Sequence, residues 1–264
     1  SINKFFFINN ERIKDEDIDN IVNELELYTL SEFQINNLIE ELSKIYQSFG
    51  YNNIQIDYKI ENHSNNSSDV YLNFNEGKIT KINKINISGN IAFDKNTILS
   101  KIKSKTKKIT NIFANNNFKV FQLNNDVIRI RKFYKQQGYK DVNVRYEVEY
   151  YANNKVEIVF LIDEGEQYFF NALNIKNNLD KNKELEDKLT LLIDKNKTNT
   201  INIYNTDKID QIEFDISEIL ENSGIQYYEI TALEKIQNNN ADLMFEISPT
   251  KPIYVNQINI SGND

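Results

Sequence analysis

The chain of 264 residues contains no cysteine, one histidine, two prolines and seven glycines. Without cysteine there are no disulfides, no thiolate catalysis and no Cys-ligated metals; this suits a reducing compartment or a periplasmic protein that needs no crosslinks. The lone His63 lies in the polar stretch ENHSNNSSD and reads as a solubilising loop residue, since one imidazole makes neither a ligand cluster nor a supported base. No apolar run approaches bilayer-spanning length, and Phe5-Phe6-Phe7-Ile8 suffices only for a strand or a buried turn. Glycine-rich phosphate loops, HExxH and the serine elbow are missing as well. No catalytic, cofactor-binding or metal-binding residue is therefore expected. The opening SINKFFF lacks Met and resembles no signal peptide, so both ends are expected to be cuts through a longer protein.

What is present is globular in composition, 27% charged and 40% hydrophobic, with a length that suits several small domains. The formal charge is -8 with basic residues scattered among acids, so no nucleic-acid partner is expected. The run Lys105–Lys108, beside Lys101 and Lys103, reads as a solvated helix end or loop. Asp15, Glu16 and Asp17 open a helix, where negative charge is favourable without any metal or acid chemistry.

Aligning glycines exposes a repeat. SKIYQSFGYNNIQIDYKI (Ser43–Ile60), RKFYKQQGYKDVNVRYEV (Arg131–Val148) and SEILENSGIQYYEITALE (Ser217–Glu234) place Gly50, Gly138 and Gly224 at intervals of 88 and 86 residues. Before each glycine the apolar residues fall at helical spacing: Ile35, Leu38, Leu42 and Ile45; Leu123, Val127, Ile130 and Tyr134; Ile209, Ile212, Ile216 and Ile219. Ser31 and Gln34 suggest a capping box at the start of the first of these helices. After each glycine the period becomes two. Ile54, Ile56, Tyr58 and Ile60 should form a hairpin with Val70, Leu72 and Phe74, and Val142, Val144, Tyr146 and Val148 with Val156, Ile158, Phe160 and Ile162. In the third copy Ala241, Leu243, Phe245 and Ile247 alternate. An earlier helix in each copy is marked by Ile18, Ile21, Val22 and Leu25, by Ile98, Leu99 and Ile102, and by Leu185, Leu189 and Leu192. Short strands precede these, at Phe5–Ile8, Ile82–Ile87 and Ala172–Ile175. The expected fold class is α+β: tandem β-α-α-β-β domains, each a three-stranded mixed sheet with two helices on one face. The hexapeptide INISGN at Ile85–Asn90 is then a first strand with its exit turn, and its second copy at Ile258–Asn263 begins a further, truncated unit.

This ordered set resembles the polypeptide-transport-associated (POTRA) repeats of the Omp85 outer-membrane assembly family. The helix-ending GY is Gly50-Tyr51 and Gly138-Tyr139, and the hairpin-closing EG is Glu76-Gly77 and Glu164-Gly165. The strand-plus-GN feature is INISGN, with FFFINN at Phe5–Asn10 as a degraded form. The third copy departs from the pattern with Gly224-Ile225, Pro249-Thr250 and Asn177-Asn178. The long inter-helix segment at Ile109–Tyr139 and the ending KPIYVNQINISGND resemble the second to fourth repeats of the five-repeat members. On that basis the domains are residues 1–78, 79–166 and 167–249, with residues 250–264 as linker and first strand of another repeat.

The resemblance implies a periplasmic scaffold on an outer-membrane protein of a Gram-negative bacterium, whose own C-terminal β-barrel would follow. It implies unfolded outer-membrane precursors and accessory assembly lipoproteins as partners, and strand addition at sheet edges as the binding mode. A translocation member of the same family and an enzyme of unrecognised class are the rival readings. The candidate edge is Val142–Val148. There Val142, Val144, Tyr146 and Val148 face the helices, while Asn143, Arg145 and Glu147 point outward, and the Arg145 N–H is expected to serve as an edge donor. The equivalent strands are Ile54–Ile60 and Gln226–Ala232.

Overall fold

The computed structural model describes residues 1–27, 31–107, 115–180, 182–197 and 202–251. The second INISGN, Lys108 and part of the Ile109–Tyr139 segment lie outside them. The described chain runs β1 (Ile2–Ile8), α1 (Asp15–Glu24), α2 (Glu32–Phe49), β2 (Gln55–Asn62) and β3 (Ser68–Asn75). It continues with β4 (Lys81–Ser88), α3 (Lys95–Lys101), α4 (Val120–Gln136), β5 (Asn143–Tyr151) and β6 (Lys155–Asp163). Last come β7 (Phe169–Asn177), α5 (Lys183–Lys197), α6 (Thr206–Asn222), β8 (Tyr228–Gln237) and β9 (Asn240–Pro249). The β-α-α-β-β order occurs three times, and each module closes its own mixed sheet, in the orders β1-β3-β2, β4-β6-β5 and β7-β9-β8. One unit comprises Ser1–Ile130 with Val144–Asp163, and another Arg131–Asn143 with the chain from Glu164 onward.

The helices form where the apolar spacing places them, and their buried faces make the cores. In α2 Ile35, Leu38, Leu42 and Tyr46 are fully buried beneath Val70 and Leu72 of β3. In the third module Leu185, Leu189 and Leu192 of α5 meet Ile212, Ile216 and Leu220 of α6 over Leu243, Phe245 and Ile247. Each such Leu or Ile contributes about 2 kcal/mol of transfer free energy. Ile45, Val127, Ile209 and Ile219 are half-buried, and the deeper positions are Tyr46, Asp126, Ile212 and Leu220. Gly50 ends α2 in the left-handed region at φ 102°, as its place after the helix requires. Ser31 is the N-cap, but its side chain makes no cap hydrogen bond, so its half of the expected capping box is absent. Asp94 and Asn205 do cap α3 and α6, accepting from the amides of Asn96 and Thr97 and of Asp207.

All three first strands carry an irregularity at the same place, between Ile2 and Lys4, Ile82 and Lys84, and Phe170 and Ala172. The residue passed over is an asparagine each time, and it donates to a carboxylate on the central strand. Asn3 reaches Asp69 at 2.8 Å, Asn83 reaches Glu157 at 3.1 Å and Asn171 reaches Asp242 at 2.7 Å. At the other end of β4, Gly89 has φ 84°, and a Cβ there would lie 2.0 Å from the Ile162 carbonyl oxygen. The G of INISGN is thus required by close backbone approach as well as by the turn; Asn9 takes the left-handed turn in the first module at φ 65°.

Candidate functional site

Among the described residues, each sheet leaves its second strand, β2, β5 or β8, with a single neighbour. Main-chain direction along these edges follows from the register. In the β2–β3 ladder the His63 amide donates to Ser67 O at 2.8 Å, and pairing then continues without slip from Asn62–Ser68 to Gln55–Asn75. Antiparallel bonding alternates, so the amides of Asp57, Lys59 and Glu61 face β3 and those of Ile56, Tyr58 and Ile60 face the open edge. In β8–β9, Thr250 N–H donates to Tyr227 O at 3.1 Å, which turns the amides of Tyr228, Ile230, Ala232 and Glu234 outward. In both strands the outward amides belong to residues whose side chains lie on the helix side.

The structure places β5 at Asn143–Tyr151, so Val142 precedes the strand, which continues past Val148 through Glu149 and Tyr150 to Tyr151. Asn143, Arg145 and Glu147 are exposed on the outward face, Val144 is buried, and Tyr146 and Val148 are half-buried. The Tyr146 hydroxyl donates to Asn124 of α4 at 3.0 Å, and its ring meets Phe160 edge-on at 6.4 Å. By the repeat spacing Arg145 matches Asp57 and Thr231, whose amides face the central strand. On β2 and β8 edge donation thus falls at the positions equivalent to Val144, Tyr146 and Val148 rather than at that of Arg145. Parity of the ladder is invisible in an alternating pattern, which reports side-chain faces only.

The first-strand edges of the second and third modules, β4 and β7, are occupied at their starts by the protein's own chain. Ile82 N–H donates to Asn116 O at 2.7 Å while the Asn116 side chain returns a bond to Ile82 O at 3.1 Å, and Lys81 bridges Asn117. In the third module Phe170 N–H donates to Asn202 O at 2.6 Å, and Phe169 bridges Ile203. An incoming strand would have to compete with these bonds along β4 and β7.

In the first two modules the end of the central strand is anchored to a helix by a tyrosine–glutamate pair. Tyr46 donates to Glu76 at 2.7 Å and Tyr134 to Glu164 at 2.8 Å, joining the last turn of α2 or α4 to the glutamate that closes the hairpin. Burial first, and then the glutamate, push both phenols above their ordinary value. The EG dipeptide thus supplies a hydrogen-bond acceptor together with a glycine.

Other residues singled out in the sequence fall as follows. His63 is not merely solvated: its Nε2 lies 2.9 Å from Asp69, whose carboxyl is held below its usual range by Asn3 and then by His63. The reading of His63 as only a solubilising loop residue is corrected by Asp69 of β3, which lies beside the loop. Asp15, Glu16 and Asp17 occupy the first turn of α1, with Asp15 accepting from Asn10 at 2.7 Å. No group of three metal-ligating side chains occurs among the described residues. A residue that sequence reasoning missed is Asp126, fully buried on α4 at the place of Leu38 and Ile212. It accepts from the amides of Lys103 at 2.8 Å and Ser104 at 2.9 Å and pairs with Arg129 at 2.8 Å. Among the described residues no helix is long and apolar enough to cross a membrane.

The POTRA family profile, described as a surface antigen variable number repeat, matches residues 1–77 and 80–165. The outer membrane protein assembly factor BamA of Buchnera aphidicola is 31% identical over 205 residues, covering 76% of this chain and 32% of the relative. BamA of Neisseria meningitidis serogroup B is 25% identical over 260 residues, covering 93% and 32%. The chain thus spans about a third of the length of these curated relatives. Among solved structures, Haemophilus influenzae BamA POTRA3-5 aligns over 95% of this chain and 96% of that one, at 15% identity and a TM-score of 0.46.

Proposed function

The chain belongs to the POTRA family, and from that premise we propose that it is the periplasmic scaffold of an outer-membrane β-barrel assembly protein of the BamA kind. Residues 1–78, 79–166 and 167–249 are read as the second, third and fourth repeats, with residues 250–264 leading into the next. The scaffold binds unfolded outer-membrane precursors by adding their strands to β2, β5 or β8, and docks accessory assembly lipoproteins. It carries out no turnover. Assembly-factor relatives over most of the chain support the setting. The observation that carries the mechanism is the run of edge-facing amides on β2 and β8, while the first-strand edges β4 and β7 are already engaged at their starts. Main-chain bonding needs extension rather than a particular sequence, which suits a scaffold with many clients.

Calorimetric titration with an extended peptide from an outer-membrane β-strand tests the reading. A shuffled peptide that keeps the polar–apolar alternation should bind comparably, and the same peptide N-methylated on alternate residues should not. Undiminished binding of the N-methylated peptide, or loss of binding on shuffling alone, would refute main-chain capture.

A further inference from the structure

A cleft of about 570 Å³ lies between β4 and α3. Lys84 comes from the strand, Lys95 from the first turn of the helix and Lys105 from the connection beyond it, with Asn83, Asn96 and Ser104 between them. Ile85 and Leu99 add an apolar strip, and among the described residues no carboxylate lines the space, although the chain carries a net charge of -8. The carboxylates around it are committed elsewhere. Asp94 accepts from the amides of Asn96 and Thr97 at 2.8 and 3.0 Å, Glu157 accepts from Asn83, and Asp126 is turned inward onto Lys103 and Ser104.

Asp126 also makes the cleft wall rigid, because it fixes the backbone from which Ser104 and Lys105 project. Lys105 is further held by the carbonyls of Leu99 at 3.3 Å and Ile102 at 2.9 Å. Lys103, Lys105 and Lys119 line a second, adjoining hollow of about 320 Å³, again without an acid among the described residues. The corresponding cleft of the third module is built differently. Lys197 and Lys208 also line it, but Ala172 stands where the second has Lys84 and Ile212 where it has Asp126, and Leu173, Ile212 and Leu243 add an apolar wall.

We infer that the cleft between β4 and α3 binds a phosphate-bearing anion, supplied by a lipid headgroup or by a soluble phosphoester. Ammonium groups from three elements, amide and hydroxyl donors between them and the absence of a competing acid among the described residues suit phosphoryl oxygens, and the Ile85–Leu99 strip suits an attached carbon chain. This inference is independent of strand capture, which uses the opposite edge of the same sheet.

The test uses the whole chain with two probes, inorganic pyrophosphate followed by backbone amide resonances, and co-sedimentation with phosphatidylglycerol or phosphatidylcholine vesicles. Pyrophosphate should shift the amides of Lys84, Ser100, Ser104 and Lys105. The double variant Lys84→Gln, Lys95→Gln, which leaves the Lys105 contacts intact, should weaken binding about tenfold with unchanged melting. Lys197→Gln in the third module should leave it unaltered. Vesicle retention that needs phosphatidylglycerol and is lost in the double variant identifies a lipid source, and pyrophosphate binding without vesicle retention identifies a soluble one. Failure of both probes, shifts spread evenly over the lysines, or unaltered binding of both probes by the double variant overturns the site.

Discussion

In the first two modules a tyrosine one turn before the helix-ending glycine reaches the glutamate that closes the hairpin, Tyr46 to Glu76 and Tyr134 to Glu164; in the third the two positions hold Leu220 and Pro249. Both members of the pair change together. A buried hydroxyl without its acceptor, or a glutamate without its donor, costs more than an apolar contact of similar size, so the pair behaves as one unit. The glycines divide the same way. A Cβ on Gly138 would meet Tyr168 O at 2.8 Å and Ile203 at 3.0 Å, and one on Gly50 would meet Ile79 at 3.1 Å, whereas none of the described residues lies within 4 Å of one on Gly224. In the first two modules the glycine both ends a helix and admits the following segment; the chain beyond Lys251, which follows the third, lies outside the described residues.

That contrast is broken most forcefully at Gly138. Gly138→Ala adds a backbone clash to left-handed strain and should cost about 3 kcal/mol, while Gly224→Ala, at φ 80°, should cost about 1 kcal/mol. Urea denaturation of the two variants measures the difference, and equal losses would show that close approach is not what separates them. Asp126→Ala should cost about 2–3 kcal/mol by stranding Arg129 and two amides, and hydrogen exchange at Lys103 and Ser104 should accelerate. Slow exchange retained at both amides would mean the connection is held by something else.

Tyr134→Phe should cost about 1 kcal/mol, and Leu220→Tyr should destabilise rather than restore, because Pro249 offers no side-chain acceptor. The pair also has a pH signature. Its tyrosines have raised pKa values in the folded state, so their contribution is complete below the ordinary phenol value of 10.0 and is lost as pH rises above it. Stability measured from pH 9 to 11 should fall, and the Tyr46→Phe, Tyr134→Phe double variant should fall less steeply. A parallel decline in the two proteins would remove the pair as a source. The smallest effect is expected at the exposed edge side chains: Arg145→Ala or Glu147→Ala should change stability by less than about 0.5 kcal/mol, read from the same urea curves.

Glycine alignment exposed the modules because a left-handed helix end recurs wherever the chain leaves α2, α4 or α6. The alternating strands were legible for the same kind of reason, each having one face on helices. Asp126 stayed hidden because Val127, one residue along, completes a plausible apolar spacing while the true core position holds a carboxylate. The basic cleft was equally hidden: Lys84, Lys95 and Lys105 are far apart in sequence and meet only after β4 and α3 pack. Edge-facing amides depend on ladder parity, which turns on one hydrogen bond at the hairpin end and leaves no mark in residue type.

Strand addition to the second-strand edge is tested most directly at Ala232, a small, exposed residue on β8 whose amide faces outward. Proline is tolerated where the lost N–H faced away from the sheet, so Ala232→Pro should fold, whereas Thr231→Pro should not. Intermolecular nuclear Overhauser effects between an isotope-labelled chain and an unlabelled β-barrel peptide should connect the peptide backbone to Tyr228, Ile230, Ala232 and Glu234, and the β8 contacts should vanish in folded Ala232→Pro. Contacts confined to β4, β7 or the helices, or β8 contacts that persist in that variant, would contradict the account.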